Sequence, residues 1–236
     1  SIPATPRVDY TFDDTSDNHI YELVSGTGDT DNTLFTIEGS ELKINSSPDY
    51  ETQSSYDIRL KTTDLGGLSY EEAFTFNVND GNEVASDIST SATSFNENIN
   101  SGSVVATLST TDADVSDSHT YTLVSGTGDT DNALFTIEGS ELKINSSPDY
   151  ETQSSYDIRL KTTDSGGLSY EEAFTFNVND VNEVATDISL SSTSFNENIN
   201  AASTVATLST TDEDASDSHT YTLVSGTGDT DNTLFT

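Results

Sequence analysis

Apolar and polar side chains alternate along most of this chain. Tyr156, Ile158 and Leu160 are separated by Asp157 and Arg159, and Phe174, Phe176 and Val178 by Thr175 and Asn177. Val104, Ala106 and Leu108 also fall on alternate positions. A period of two places one set of side chains inward and the other in water, the mark of a half-buried strand. Clusters of Gly, Asn, Asp and Ser, such as "SGTGDTDN" and "DSGG", separate the runs as turns. No segment has helical periodicity. About seven short strands in each stretch of about 100 residues predict an all-β fold, an antiparallel Greek-key β-sandwich of the immunoglobulin-like kind.

The pattern repeats. "IEGSELKINSSPDYETQSSYDIRLKTTD" is identical at 37–64 and 137–164, and "TSFNENIN" stands at 93–100 and 193–200, always at an offset of 100 residues. So long a period is one whole domain, not a solenoid unit. The 236 residues divide into tandem sandwiches at 1–83, 84–183 and 184–236. The first lacks the segment matching "TSFNENIN" and the last stops halfway, so both are incomplete. The expectation is a fragment of a longer array, or a half-domain completed by strands from another chain. "SIPATP" at the start fits either a cleaved terminus or an arbitrary beginning.

Composition changes the picture through charge. There are 42 acidic against 7 basic side chains, a net charge of -35. Only 31% of residues are hydrophobic, which invites a reading of disorder, but the 10 Tyr and 10 Phe sit largely inside the strand pattern. Phosphate binding needs clustered cations, so nucleic acid is excluded as a partner, and attraction to an anionic membrane with it. No apolar run approaches the roughly 18 residues of a span, so no membrane insertion is expected in this segment. Cysteine is absent, which removes disulfides and thiolate ligands. His19, His119 and His219 repeat at one equivalent position, which suits structure better than catalysis, and no constellation indicates an enzyme. "GDTDN" at 128–132 lacks the full ligand spacing of an EF-hand and reads as a turn. "NSS" at Asn45 and Asn145 fits a glycosylation pattern without further support, and Lys43, Arg59, Lys61 and their counterparts Lys143, Arg159 and Lys161 belong on solvent faces.

Within 84–183 the acids gather at turns and strand ends: Glu97, Asp112, Asp114, Asp149, Glu151, Asp164, Asp180 and Glu183. Sandwich loops cluster at the two ends of the body, so acids distant in sequence can meet there. Two unit charges about 4 Å apart repel by roughly 4 kcal/mol at an effective dielectric near 20. Converging hard oxygen donors suit Ca²⁺, whereas Mg²⁺ keeps its waters and zinc wants His or Cys. In "SPDYE", at 47–51 and 147–151, proline holds the chain extended. Strand alternation would then point Asp149 and Glu151 to one side and Tyr150 to the other.

"FNEN", "DAD", "DYE", "TTDSGG" and "DVNE", in this order within one repeat, resemble the cadherin domain, in the version found in large bacterial surface proteins. The resemblance covers essentially the whole chain and implies calcium at inter-repeat junctions. It makes Glu97 the early-strand glutamate that bridges two ions, with Glu197 its counterpart in the third repeat. Asp149 and Glu151 match the paired acids of the Asp-Arg-Glu motif, with Tyr150 in place of arginine. Asp180, Asn182 and Glu183 match the linker, and Asp212 and Asp214 reach back from the third repeat. At the preceding junction the implied set is Asp49, Glu51, Asp80, Asn82 and Glu83 with Asp112, Asp114 and Asp164. Two departures stand out: the linker's Asn-Asp-Asn reads Asn182-Glu183-Val184, and Phe12 stands where the second repeat has Asp112.

The expected function is a calcium-rigidified stalk or adhesin, extracellular, on a bacterial cell surface or secreted. Its partners would be a protein or glycan on another cell, or further copies of itself by homotypic self-association. The alternatives are a carbohydrate-binding module of a polysaccharide-acting protein and a structural filament or sheath subunit.

Overall fold

The computed structural model describes residues 18–236. They fall into two compact units that divide between Glu83 and Val84. Phe12 and the opening "SIPATP" lie outside the described residues.

The first unit contains β1 (Ile20–Leu23), β2 (Phe35–Glu38), β3 (Glu41–Ile44), β4 (Ser55–Thr63) and β5 (Ser69–Asn77). They form one sheet in the order β1-β4-β5 and a separate hairpin, β2-β3. The second unit opens with β6 (Asp87–Thr90), β7 (Ser94–Asn96), β8 (Val104–Thr111) and β9 (Thr120–Leu123). It continues with β10 (Phe135–Glu138), β11 (Glu141–Ile144), β12 (Ser155–Thr163) and β13 (Ser169–Asn179), then β14 (Asp187–Leu190) and β15 (Leu208–Thr211). Single 3-10 turns at 32–34, 132–134 and 232–234 are the helical segments among the described residues.

The second repeat is the expected sandwich. One sheet runs β10-β11-β8-β6 and the other β7-β13-β12-β9. The first strand is split between the sheets as β6 and β7; counted as one, it leaves seven strands. Ladders are antiparallel except where β7 runs parallel to β13, with Ser94 to Asn96 beside Asn177 to Asn179. That pairing explains a difference between repeats. β13 continues to Asn179, whereas β5, identical in sequence, stops at Asn77.

Between the sheets lies an aromatic cluster. Phe95 of β7 stacks on Tyr156, with ring centroids 6.0 Å apart, and meets Phe135 and Phe176 at 6.5 and 6.3 Å. Ile158, Leu160 and Leu142, all fully buried, complete the core. The alternation read along β12 and β13 therefore marks the core face correctly.

Two sequence expectations require correction. On β8 the inward side chains are Val105, Ala106 and Leu108, while Val104 is exposed. Leu142 pairs with Ala106 and Lys143 with Val104, so Val105 is the extra residue of a bulge. A bulge turns two successive side chains inward, which strict alternation does not foresee. The second correction concerns "SPDYE". Tyr150, Glu151 and Thr152 form a turn, not a strand. The Asp149 carboxylate closes it by accepting the Thr152 N–H (2.9 Å) and hydroxyl (2.8 Å).

The "SGTGDTDN" loop is a turn, as read, and its polar side chains are structural. Asp131 accepts from Gln153 Nε2 (3.0 Å) and from the Asp157 N–H (2.8 Å). Asn132 accepts the Arg159 N–H and donates to Val124 O, both at 2.9 Å. Gly128 has φ +83°, and a Cβ there would lie 2.8 Å from the Cβ of Ala173, so a side chain is barred by both backbone and space. The Asn145 amide is equally engaged, accepting from Thr136 Oγ1 (2.6 Å) and donating to Ala133 O (3.1 Å).

Candidate metal centre

Glu97 follows β7 and is buried, a position that demands hydrogen bonds for its carboxylate. It accepts the Tyr150 N–H through Oε2 and the Val181 N–H through Oε1, each at 2.7 Å. One side chain thus ties the 149–152 turn to the segment leaving β13. That segment reaches Glu183, whose N–H donates to Asp214 Oδ2 (2.8 Å).

Two groups of acids result. Glu97, Glu151 and Glu183 each offer an oxygen within 4.8 Å of the others, and so do Glu151, Asp180 and Asp214. Glu151 belongs to both. Five of the acids implied by the cadherin resemblance are therefore brought together where repeats two and three meet.

The donor chemistry suits Ca²⁺: every side chain in these groups offers hard carboxylate oxygen, with no imidazole or thiolate among them. Withdrawal from water raises the Glu151, Asp180 and Glu183 carboxyls above their ordinary values, and repulsion from neighbouring acids raises them further. Glu183 Oε2 is buried without a hydrogen-bond partner. A cation would answer both the repulsion and the orphaned oxygen.

The raised values fix a pH dependence. A carboxyl with a folded value above its unfolded one stabilises the fold most when protonated, and that contribution is lost as pH rises through the folded value. In chelator, the melting temperature of the second unit is expected to climb as pH falls from about 7 into the raised carboxylate range. Saturating calcium should flatten the profile. Calorimetry across pH, with and without chelator, checks both; a flat profile in chelator would contradict the crowding.

The remaining expected ligands are placed as follows. Asp149 is absent from both groups, held by Thr152. Asn182 donates to Glu183 O (2.8 Å). Asp212 pairs with His219 Nε2 (2.9 Å), and Glu197 is exposed. Asp112 pairs likewise with His119 (2.9 Å), so the repeated histidine holds an acid in place. Asp112 and Asp164 form a third group with Asp117, which sequence reasoning missed. Asp117 accepts from Ser165 Oγ (2.6 Å) on Oδ1, while Oδ2 is buried and unpartnered. The signal for it was the spacing Asp112-x-Asp114-x-x-Asp117, three acids on one loop. Asp114 Nα donates to Asp112 Oδ1 (3.2 Å).

In the first unit Glu51, Asp80 and Glu83 offer oxygens within 4.8 Å of one another. Asn82 Nδ2 donates to Glu83 O (3.2 Å). Asp49 is held below the usual carboxylate range, first by the Thr52 N–H (3.1 Å) and then by its hydroxyl (3.0 Å).

No family model matches the chain. Mouse protocadherin Fat 4 is 31% identical to it over 216 residues, which is 87% of this chain and 4% of that protein. A solved structure of protocadherin gamma B2 extracellular cadherin domains 3–6 is similar with a TM-score of 0.58 at 20% identity, over 83% of this chain and 48% of that one. Human protocadherin-24 EC1-2 gives 0.53 at 23%, over 71% and 85%. The fold is that of tandem cadherin domains.

Proposed function

We propose, from the cadherin-domain fold and the convergence of Glu97, Glu151, Asp180, Glu183 and Asp214, that this chain is a calcium-stiffened stalk or adhesin segment outside a bacterial cell. The observation that carries the reading is the shared Glu151, which belongs to one acid group within repeat two and to a second that Asp214 of repeat three completes. Calcium supplies the positive charge these groups oppose, and the chain supplies oxygens from both repeats. Tying two domains to one ion cluster turns a hinge into a stiff joint.

Asp112, Asp117 and Asp164 form a further calcium-binding group within this reading. For Glu51, Asp80 and Glu83 the reading rests on the 100-residue repeat of the same acids; Asn82 repeats with them, and Asp49, like Asp149, closes its turn through threonine. The bacterial setting rests on the resemblance of the five motifs to the cadherin domains of large bacterial surface proteins. An adhesive role, toward another cell or a second copy, is supported by the fold of its protocadherin relatives. The aromatic cluster of repeat two is buried in its core, which argues against a sugar-stacking platform.

Distance measurement between spin labels tests the stiffening. The chain has no cysteine, so Ser109→Cys and Ser209→Cys on β8 and β15 label repeats two and three cleanly. A broad distance distribution in chelator should narrow in millimolar calcium. An unchanged distribution would remove the mechanical reading.

A further inference from the structure

Asn98 has φ 58°, and Asn198 at the equivalent place in repeat three has φ 63°. This left-handed region is one that asparagine tolerates better than most residues. The Asn98 N–H donates to Pro148 O (2.9 Å), which anchors it above the 149–152 turn. Its side-chain Nδ2 donates to Oε1 of Glu183. Glu183 is also fixed through its backbone N–H, bound by Asp214 at 2.8 Å. Its other carboxylate oxygen, Oε2, is buried without a hydrogen-bond partner, and the side chain brings an oxygen within 4.8 Å of Glu97 and Glu151.

We propose that Asn98 is a positioning residue for the Glu97–Glu151–Glu183 group, holding Glu183 Oε1 so that Oε2 is left for the cation. The inference rests on the calcium reading and adds a residue that does not itself touch the ion. Glutamate has one more rotatable bond than the aspartate of the family linker, so its carboxylate needs an external restraint. A neutral amide supplies that restraint without discharging the carboxylate, as a lysine would. The left-handed backbone presents the amide, and the same conformation at Asn198 shows that it is a local property of the "NEN" turn.

The test uses the full chain. Asn98→Gly retains the positive φ and deletes only the amide. Calcium affinity of the junction, read by calorimetry, is expected to fall about tenfold or more, as losses of ligand-orienting partners do. The melting temperature in chelator should stay within a degree or two of the parent, since glycine suits the backbone. Asn198→Gly makes the same backbone change away from Glu183 and should leave affinity unaltered. In chelator, the Asn98 side-chain amide protons, assigned by their loss in Asn98→Gly, should move in the NMR spectrum on Glu183→Gln. Unchanged calcium affinity in Asn98→Gly overturns the proposal and leaves calcium binding standing. If the parent takes up no calcium the functional reading falls, and the amide resonance alone then decides: no response to Glu183→Gln overturns the contact.

Discussion

Saturating calcium is expected to raise the melting temperature of the second unit by roughly 5–10 °C, and Glu151→Ala to remove most of that gain. Extracellular modules bind calcium at about 10⁻⁴–10⁻³ M. A ligand at about 100 times its dissociation constant stabilises by about 2.7 kcal/mol per site. For a unit of this size each kcal/mol moves the midpoint by about 2–4 °C. Glu151 is the residue to remove because it sits in both acid groups, so its loss strips an oxygen from each. Chelator provides the control. Without calcium, Glu151 is a repelled carboxylate held above its ordinary value, first by withdrawal from water and then by Glu97, Asp180 and Asp214. Its deletion should therefore leave the chelated protein as stable as the parent or slightly more so. Scanning calorimetry of both proteins in chelator and in calcium gives the four numbers required. A variant that melts lower in chelator by as much as it loses in calcium would make Glu151 a structural residue and not a ligand. Asp149→Ala should behave in that second way, because its carboxylate closes the turn through Thr152 whether or not an ion is present.

The contrast between Glu151 and Asp149 also shows what was legible in the sequence. Along β12 and β13 each inward residue is followed by an outward one, and the core face could be written down directly. On β8 the same rule pointed Val104 inward, because a bulge alters the register without altering composition. In "SPDYE" alternation makes the acids strand neighbours, but Asp149 followed three residues later by Thr152 is a local turn signal that outcompetes it. That Glu97 meets Glu183 across 86 positions depends on β7 running parallel to β13, and no local pattern encodes a parallel pairing. The likeness to cadherin motifs implies the grouping, and the fold supplies its geometry. Asn98 is illegible for the same reason, since its partner Glu183 is distant in sequence, whereas Asp117 has a local signal in its spacing from Asp112 and Asp114.

Phe176→Ala is expected to destabilise the second unit by about 3–5 kcal/mol, the cost of emptying a well-packed aromatic site. Phe76→Ala, the same substitution in an identical stretch of sequence, should cost the first unit about 1–2 kcal/mol. The difference follows from what covers each ring. Phe176 is 0% exposed, tilted against both Phe95 and Phe135, whereas Phe76 is 44% exposed and stacks on Phe35 at 6.2 Å. β7 brings Phe95 down as a lid, and its backbone extends β13 by two residues beyond the end of β5. A large cavity opens only where the surroundings are closed; a half-exposed ring leaves a dent that water fills. Urea unfolding of the two variants, each followed through the transition of the unit that carries the change, measures the contrast. Phe95→Ala should reproduce most of the Phe176→Ala loss, since it removes the lid from the same cluster. Equal losses at Phe76 and Phe176 would mean that the lid contributes nothing.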